Sequence, residues 1–365
     1  MTHDERDESA GTKSVMGEVA SDHRTSRRAH GIPGRSKCPS PTEQARANER
    51  VAVVINPRTC IGASRDLWIS AREKLFQSGK NPVQIETRGD GTNVSRVARL
   101  IRDHRPDLVV ASGGDGTVSE VVRGMVASGL PDPPVLAILP FGTANNVARS
   151  LGLESIRHQS TQAIDRAAAV ARNGHDRWID LGLVDEHYFV GSFALGMDAD
   201  ILRMRDHWSR FFVADWIAQG YPLYLWSCGV NLLLHHGARA RLDVDGLLLN
   251  RNVYNVLVTN TAIYGGEFRF AEGDPSADGY LDLHLFDGPI DYFRRYAAAW
   301  ARHLRHGWGL TVVQPQNARR VRSCKIEMAG PVYLQIDGEQ LPATDSCSIS
   351  VVPHALRVRI PRYAW

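Results

Sequence analysis

The sequence has no stretch of eighteen uninterrupted apolar residues, so no helix of it is predicted to span a bilayer. Its opening, Met1-Thr2-His3-Asp4-Glu5-Arg6, lacks the apolar core of a secretory leader, and the expectation is a chain that is neither exported nor membrane-spanning. Cysteine is scarce. Cys38, Cys60, Cys228, Cys324 and Cys347 form no CxxC pair, which speaks against a disulfide framework or a zinc site and suits a reducing cytoplasm. No GxxxxGK[ST] occurs, so a Walker A phosphate loop is excluded. The net charge is only +3 over 365 residues, too small to imply nucleic acid binding. His303 and His306 have helical spacing but no acidic partner, and surface positions suit them better than a metal site.

What is present is enough apolar material, 43% of residues, for two domains with their own cores. Residues 1–49 are polar, charged and aperiodic, and are expected to be a disordered tail whose basic cluster at Arg24, Arg27 and Arg28 is solvated. From Val51 the pattern alternates. Val51–Ile55 reads as a strand, Leu67, Ala71, Leu75 and Phe76 as a helix face closed by Gly79, Val83–Glu86 as a strand, and Val94, Val97, Ala98 and Ile101 as a second helix. Strands alternating with helices predict an α/β domain with a parallel sheet.

Two glycine loops follow strands of this sheet. Leu108–Ala111 feeds Ser112-Gly113-Gly114-Asp115-Gly116-Thr117, and Val135–Leu139 feeds Pro140-Phe141-Gly142-Thr143-Ala144-Asn145-Asn146. Open α/β sheets bind ligands at such carboxyl ends. Glycine lets backbone N–H groups approach a bulky anion, and Asp115 adds one carboxylate, a combination suited to phosphate with a metal ion. Thr117 and Glu120 have capping-box spacing, which predicts a helix start just behind the glycines.

GGDGT followed by PxGTxN resembles the pairing in the diacylglycerol and sphingosine kinase superfamily, and is most similar to its soluble bacterial lipid kinases. The resemblance spans roughly residues 51–361. It implies an ATP-dependent transfer to a lipid hydroxyl with Mg2+. The phosphate cradle would be Gly113, Gly114, Gly116 and Thr117, with Asn56, Thr87, Gly142, Thr143 and Asn145 also at the nucleotide and Asp115 at the metal. Glu339, in Asp337-Gly338-Glu339, corresponds to the family's general base, although Asp337-Gly338 also reads as a plain hairpin turn. Pro275, Asp278 and Tyr280 correspond to a structural magnesium site, and Asp200 to a lipid head-group contact. The chain departs from the family in four places. NPxSG becomes Asn56-Pro57-Arg58-Thr59-Cys60-Ile61-Gly62, Ser119 replaces an asparagine, Asn146 replaces an aspartate, and Ala277 replaces the first aspartate of DDGxLD. NAD kinase activity and lipid binding without catalysis remain open beside lipid kinase activity.

Past Leu153 a helix is predicted through Ile164, Ala167, Ala168 and Val170, and then short alternating segments predict a mainly antiparallel β domain. They are Trp178–Leu181, Tyr188–Val190, Ala240–Val244, Val253–Val258, Leu281–Leu285 and Val332–Ile336. The resemblance makes this domain a β-sandwich and returns the last strand, Leu356–Ile360, to the first domain. The expected boundaries are 50–175 with 354–365 for the ATP-binding domain, and 176–353 for the lipid-substrate domain. Two apolar helical patterns remain, one over Trp208–Leu234 and one placing Tyr292, Tyr296, Trp300 and Leu304 on one face with Arg294, Arg295, Arg302 and Arg305 on another. Either is a candidate contact with a membrane surface, but an aromatic stripe at the spacing of the second usually packs on its own sheet, which leaves Trp208–Leu234 as the membrane contact. A cytoplasmic, peripherally membrane-associated protein is expected. No nucleic acid partner is, and a homodimer is left open.

Overall fold

The computed structural model describes residues 48–59, 63–76, 82–153, 161–209, 221–305 and 318–362. The predicted tail up to residue 47, Gly79, His306 and the middle of the Trp208–Leu234 pattern lie outside these, as do the side chains of His303 and Arg305. The first lobe runs β1 (Val51–Ile55), α1 (Ala63–Leu75), β2 (Val83–Glu86), α2 (Asn93–His104), β3 (Leu108–Gly113), α3 (Asp115–Ala127), β4 (Val135–Pro140), α4 (Asn146–Ser150) and α5 (Thr161–Asn173). Its strands lie in the order β2-β1-β3-β4, all parallel. Every residue of β3 and β4 is buried, as a central strand covered on both faces requires. Alternate residues serve opposite layers. Ala52, Val109 and Leu136 pack with α2 and α3, while Val53, Val110 and Ala137 pack with α1 and α5.

The second lobe comprises β5 (His175–Val184), β6 (His187–Phe189), β7 (Ser192–Gly196), α6 (Met197–Ser209), α7 (Tyr221–Leu234), β8 (Ala238–Val244), β9 (Leu247–Val253), β10 (Asn255–Thr259), β11 (Ile263–Tyr264), β12 (Phe268–Arg269), β13 (Leu281–Phe286), α8 (Pro289–Arg305), β14 (Arg319–Val321), β15 (Ser323–Ile336) and β16 (Glu339–Ile360). Apart from the return of β16 its pairings are antiparallel, around a core that includes Phe189, Phe193, Val256, Leu283, Ile326 and Ile349. Val253–Val258, which reads as one strand, is divided at Tyr254. That residue is buried, and its carbonyl accepts Met197 N–H at 3.4 Å and faces His235 Nε2 at 2.7 Å instead of continuing a ladder.

β16 joins the lobes. Its first half pairs with β15 and its second with β5, and Val358 lies parallel to Leu136 of β4. Arg359, with its side chain fully buried, fastens this end. Its guanidinium binds Glu49 at 2.7 and 2.9 Å, Asp176 at 2.6 and 3.1 Å and the Ala171 carbonyl at 3.0 Å.

Candidate active site

The two glycine loops touch. A Cβ on Gly142 would stand 2.3 Å from the Gly114 Cα, so position 142 needs glycine to let the loops pack, and a Cβ on Gly114 would be tight, at 3.1 Å from the Gly142 Cα. Gly113 is likewise closed, because a Cβ there would meet Thr117 Oγ1 at 2.3 Å, whereas Gly116 faces open space. Helix α3 starts three residues earlier than the capping box implies. Its N-cap is Gly114, with no side-chain cap. Thr117 is therefore inside the first turn, buried and hydrogen-bonded to Asn56 Nδ2 at 3.2 Å, and Glu120 accepts from Asn93 Nδ2 at 2.9 Å. With no side-chain cap hydrogen bond at Gly114, the N-terminus of α3 has backbone N–H groups of the kind that suit an anion.

A cavity of about 510 Å³ lies where the lobes meet. The first lobe supplies Asp115, Gly116, Thr143, Ala144 and Asn146, and the second supplies Ser192, Asp198, Ile201, Tyr264 and Asp337 among others. Of the expected nucleotide residues, Gly116 and Thr143 reach this lining. Asn56, Thr87, Gly113, Gly114, Thr117, Gly142 and Asn145 do not. Asn145 instead shapes its own loop, at φ 49, donating to the carbonyls of Pro140 at 3.0 Å and Gly142 at 2.7 Å. A second concavity, of about 640 Å³ around Arg239, Arg241 and Arg251, contains no residue of either loop.

Asp115 accepts Val147 N–H at 3.1 Å and the Asn146 amide at 3.3 Å. Burial pushes its carboxyl above the ordinary range, and the Asp337 carboxylate adds to that, against the pull of the Asn146 and Val147 bonds and of Arg149. Asn146 also accepts Gly266 N–H at 2.7 Å, and Arg149 donates to the Gly266 carbonyl, so α4 holds the Gly265-Gly266 turn of the second lobe against the first loop.

Asp337 and Gly338, at φ 50 and φ 82, form the two-residue turn between Ile336 and Glu339, the hairpin geometry that an Asp-Gly pair favours. Its carboxylate is not solvated. It accepts N–H groups of Val190, Gly191 and Ser192 at 2.8 to 3.0 Å and the Ser119 hydroxyl at 2.9 Å. Burial raises its pKa, and these four bonds oppose the shift. Ser119 is thus an interlobe contact rather than a lost asparagine. Glu339, expected as the base, is outside the cavity lining. Its side chain is 58% exposed and ion-paired with Arg123 of α3.

Asp200, expected at the head group, also lies off the lining. It binds His235 Nδ1 at 2.7 Å and lies 3.9 Å from Arg203. Its neighbour Asp198 is the carboxylate that lines the cavity. Asp198 receives Tyr292 Oη at 2.5 Å, Tyr296 Oη at 2.6 Å and Asn255 Nδ2 at 2.9 Å, and burial raises its pKa against these bonds. Tyr264, whose Oη accepts Gln335 Nε2 at 3.1 Å, continues this polar wall. Sequence reading missed Tyr264 and Gln335. The only signal was an aromatic residue before the pair Gly265-Gly266. Tyr292 and Tyr296 face inward against Phe286 and Phe270, so the four-apart face of α8 packs on its own sheet, while Trp300 and Leu304 remain exposed.

The residues fit one implied metal and not the other. Mg2+ is commonly held by one or two carboxylates together with substrate phosphates, and Asp115, lining the cavity next to the open N-terminus of α3, offers such a donor. At the structural site, Asp278 is paired with Arg320 at 2.6 Å, and the Arg320 guanidinium stacks 4.4 Å over the Tyr280 ring. Ala277 supplies no ligand oxygen from its side chain, and the nearby Asp180 accepts N–H groups of Gly279 and His354. Among the described residues no three His, Cys, Asp or Glu side chains are grouped to hold a metal. A protein guanidinium stands where the cation was expected.

Comparison with known proteins agrees with this geometry. Residues 50–184 match the diacylglycerol kinase catalytic domain, and residues 191–360 match the YegS C-terminal NAD kinase β-sandwich-like domain. The chain is 29% identical over 240 residues to a diacylglycerol kinase of Bacillus subtilis, covering 65% of this chain and 73% of that one. It is 23% identical over 303 residues to a diacylglycerol kinase of Staphylococcus carnosus, covering 81% and 91%. A diacylglycerol kinase crystal structure from Bacillus anthracis has the same fold, with a TM-score of 0.60 at 20% identity over 87% of this chain and 98% of that one. The chain thus contains a diacylglycerol kinase catalytic domain followed by a YegS C-terminal-like domain, an α/β lobe and then a mainly antiparallel β-sandwich lobe.

Proposed function

We propose that the chain transfers the γ-phosphoryl group of ATP to a hydroxyl of a membrane lipid such as diacylglycerol. The observation that carries this is the two-sided cavity. Asp115, Gly116 and Thr143 line its phosphate side, and Ile201, Leu202, Ile263 and Tyr264 offer the acceptor a largely apolar wall. Backbone N–H groups at the start of α3 bind the donor phosphates, and Thr143 orients them from the second loop. Mg2+ at Asp115 would neutralise charge on the transferring phosphoryl group. The Asp198–tyrosine wall would orient the acceptor hydroxyl. Glu339, one residue beyond the cavity-lining Gly338, takes the acceptor proton in this reading, which requires it to leave Arg123. A peripheral contact with the membrane brings the acceptor to the cavity. No helix among the described residues is long and apolar enough to cross a bilayer.

Purified chain incubated with labelled ATP, Mg2+ and a panel of lipids, with NAD as a further acceptor, tests this directly. Label in a lipid supports the proposal. Label in NAD alone overturns the acceptor class. A second reading, lipid binding without transfer, is favoured by the Glu339–Arg123 pair and by the Asn146 amide on Asp115, and it predicts acceptor binding with no label transferred.

A further inference from the structure

The side of α6 that faces the cavity ends in a cation that the proposed transfer does not use. Asp198, Ile201, Leu202 and Arg205 all line the cavity, and positions three and four apart share one side of a helix. At the start of this row Asp198 receives Tyr292, Tyr296 and Asn255. Ile201 and Leu202 follow, and Arg205 closes the row seven residues on, roughly 10 Å along the axis. Among the described residues Arg205 is the one cationic side chain in the lining, against the carboxylates of Asp115, Asp198, Glu267 and Asp337.

None of those carboxylates pairs with it. The guanidinium instead binds its chain neighbour Asp206, and a single oxygen, Oδ1, accepts both Nε at 3.1 Å and Nη2 at 2.9 Å. The two side chains are 39% and 42% exposed, and an exposed pair of this kind contributes little. It leaves the outer edge of the guanidinium, Nη1 and the second Nη2 hydrogen, without a partner among the described residues. Two parallel donors in one plane match two oxygens of a phosphate. The position says whose phosphate it is. The donor phosphates belong to the first lobe, at Asp115, Gly116 and Thr143, where Arg149 supplies positive charge. Arg205 stands on the second lobe with Ile201 and Leu202, the wall assigned to the acceptor.

We propose that Arg205 binds a phosphate group carried by the acceptor, and that the site thereby selects a glycerophospholipid with a free hydroxyl over a neutral glyceride. The hydroxyl lies at the Asp198–tyrosine wall, the phosphate at Arg205, and Ile201 and Leu202 face the carbon atoms between. The inference rests on the reading that this cavity takes a lipid acceptor, and it concerns which one.

Two soluble probes that differ by one phosphate, 1-octanoylglycerol and 1-octanoylglycerol 3-phosphate, test it. Both have a free hydroxyl. Calorimetric titration of the full chain, with Mg2+ and a non-hydrolysable ATP analogue filling the donor side, should show the phosphate-bearing probe binding roughly tenfold more tightly. Arg205→Gln should bring the two affinities together, and Arg205→Lys should keep part of the preference because the charge remains. In turnover the ratio of the two acceptors' KM values should change in the same way. Equal affinity of wild type for both probes overturns the proposal. So does a preference that survives in Arg205→Gln, since the phosphate would then sit elsewhere. A fall in kcat by the same factor with both acceptors also overturns it, because the guanidinium would then act on the transferring group. If binding follows the expected pattern while neither probe is labelled from ATP, the transfer reading fails and the assignment of Arg205 stands.

Discussion

Asn146 Nδ2 donates to Asp115 Oδ2 across 3.3 Å, while Asn146 Oδ1 accepts the N–H of Gly266. The second bond fixes the orientation of the amide, because Gly266 can only donate, so the NH2 group must face the carboxylate. A neutral donor thus occupies the place where relatives of this chain were expected to carry an acid.

Asn146→Asp would set a second carboxylate beside Asp115. Two such groups at this separation repel unless a proton or cation lies between them. The variant should melt below wild type in EDTA and regain more stability than wild type when Mg2+ is added. Identical Mg2+ titrations of melting temperature would remove Asn146 from any metal site.

Asp115→Asn and Glu339→Gln should each lower turnover by roughly 10²–10⁴-fold with little change in melting temperature. Arg123→Gln serves as the companion. If the Glu339–Arg123 pair holds the base away from the cavity, breaking it should raise turnover or leave it unchanged. Wild-type turnover in Glu339→Gln would take the base role from that residue.

Asp337→Asn should act on stability. Its carboxylate accepts three backbone N–H groups and the Ser119 hydroxyl, and an amide has only one acceptor oxygen to offer them. A loss of about 1–3 kcal/mol is expected in denaturant unfolding, with a smaller loss of about 1 kcal/mol in Ser119→Ala. An unchanged unfolding midpoint in Asp337→Asn would show that the interlobe knot contributes nothing.

Arg320→Gln removes the guanidinium paired with Asp278. The Asp278 carboxylate would then lack its counter-charge, and a divalent ion could take that place. Wild-type melting should be indifferent to EDTA at this site, while the variant should become more stable with added Mg2+ or Ca2+. A variant that melts like wild type with and without the ions would mean that Arg320 does not substitute for a cation.

The β3–loop–α3 unit was legible in the sequence because a fully apolar strand, a glycine cluster and a helical period follow within a few residues, each set by local chemistry. The choice between neighbouring carboxylates was not. Asp337 and Glu339 stand on either side of a turn glycine, and Asp198 and Asp200 are two residues apart at a helix start. In each pair the inward member is chosen by backbone direction, which composition does not encode. The inward side of helix α8 was left open in the sequence for a related reason. Apolar residues cover more than one face of it, so periodicity marks a helix without saying which side meets the protein. The identity of the internal cation at Asp278 was hidden because Arg320 is distant in sequence and arrives through the pairing of β13 with β14.

The course of β16 limits how the molecule can be taken apart. Because Val358 pairs with Leu136 and Arg359 binds Glu49 and Asp176, the edge of the first lobe is built from residues that come after the whole second lobe in the sequence. A fragment ending near residue 190 would contain both glycine loops yet expose the side of β4 to solvent, with Glu49 and Asp176 deprived of their shared counter-ion. A circular permutant that places residues 354–362 ahead of residue 48 through a short linker would preserve these contacts, and is the form in which this lobe could be produced alone.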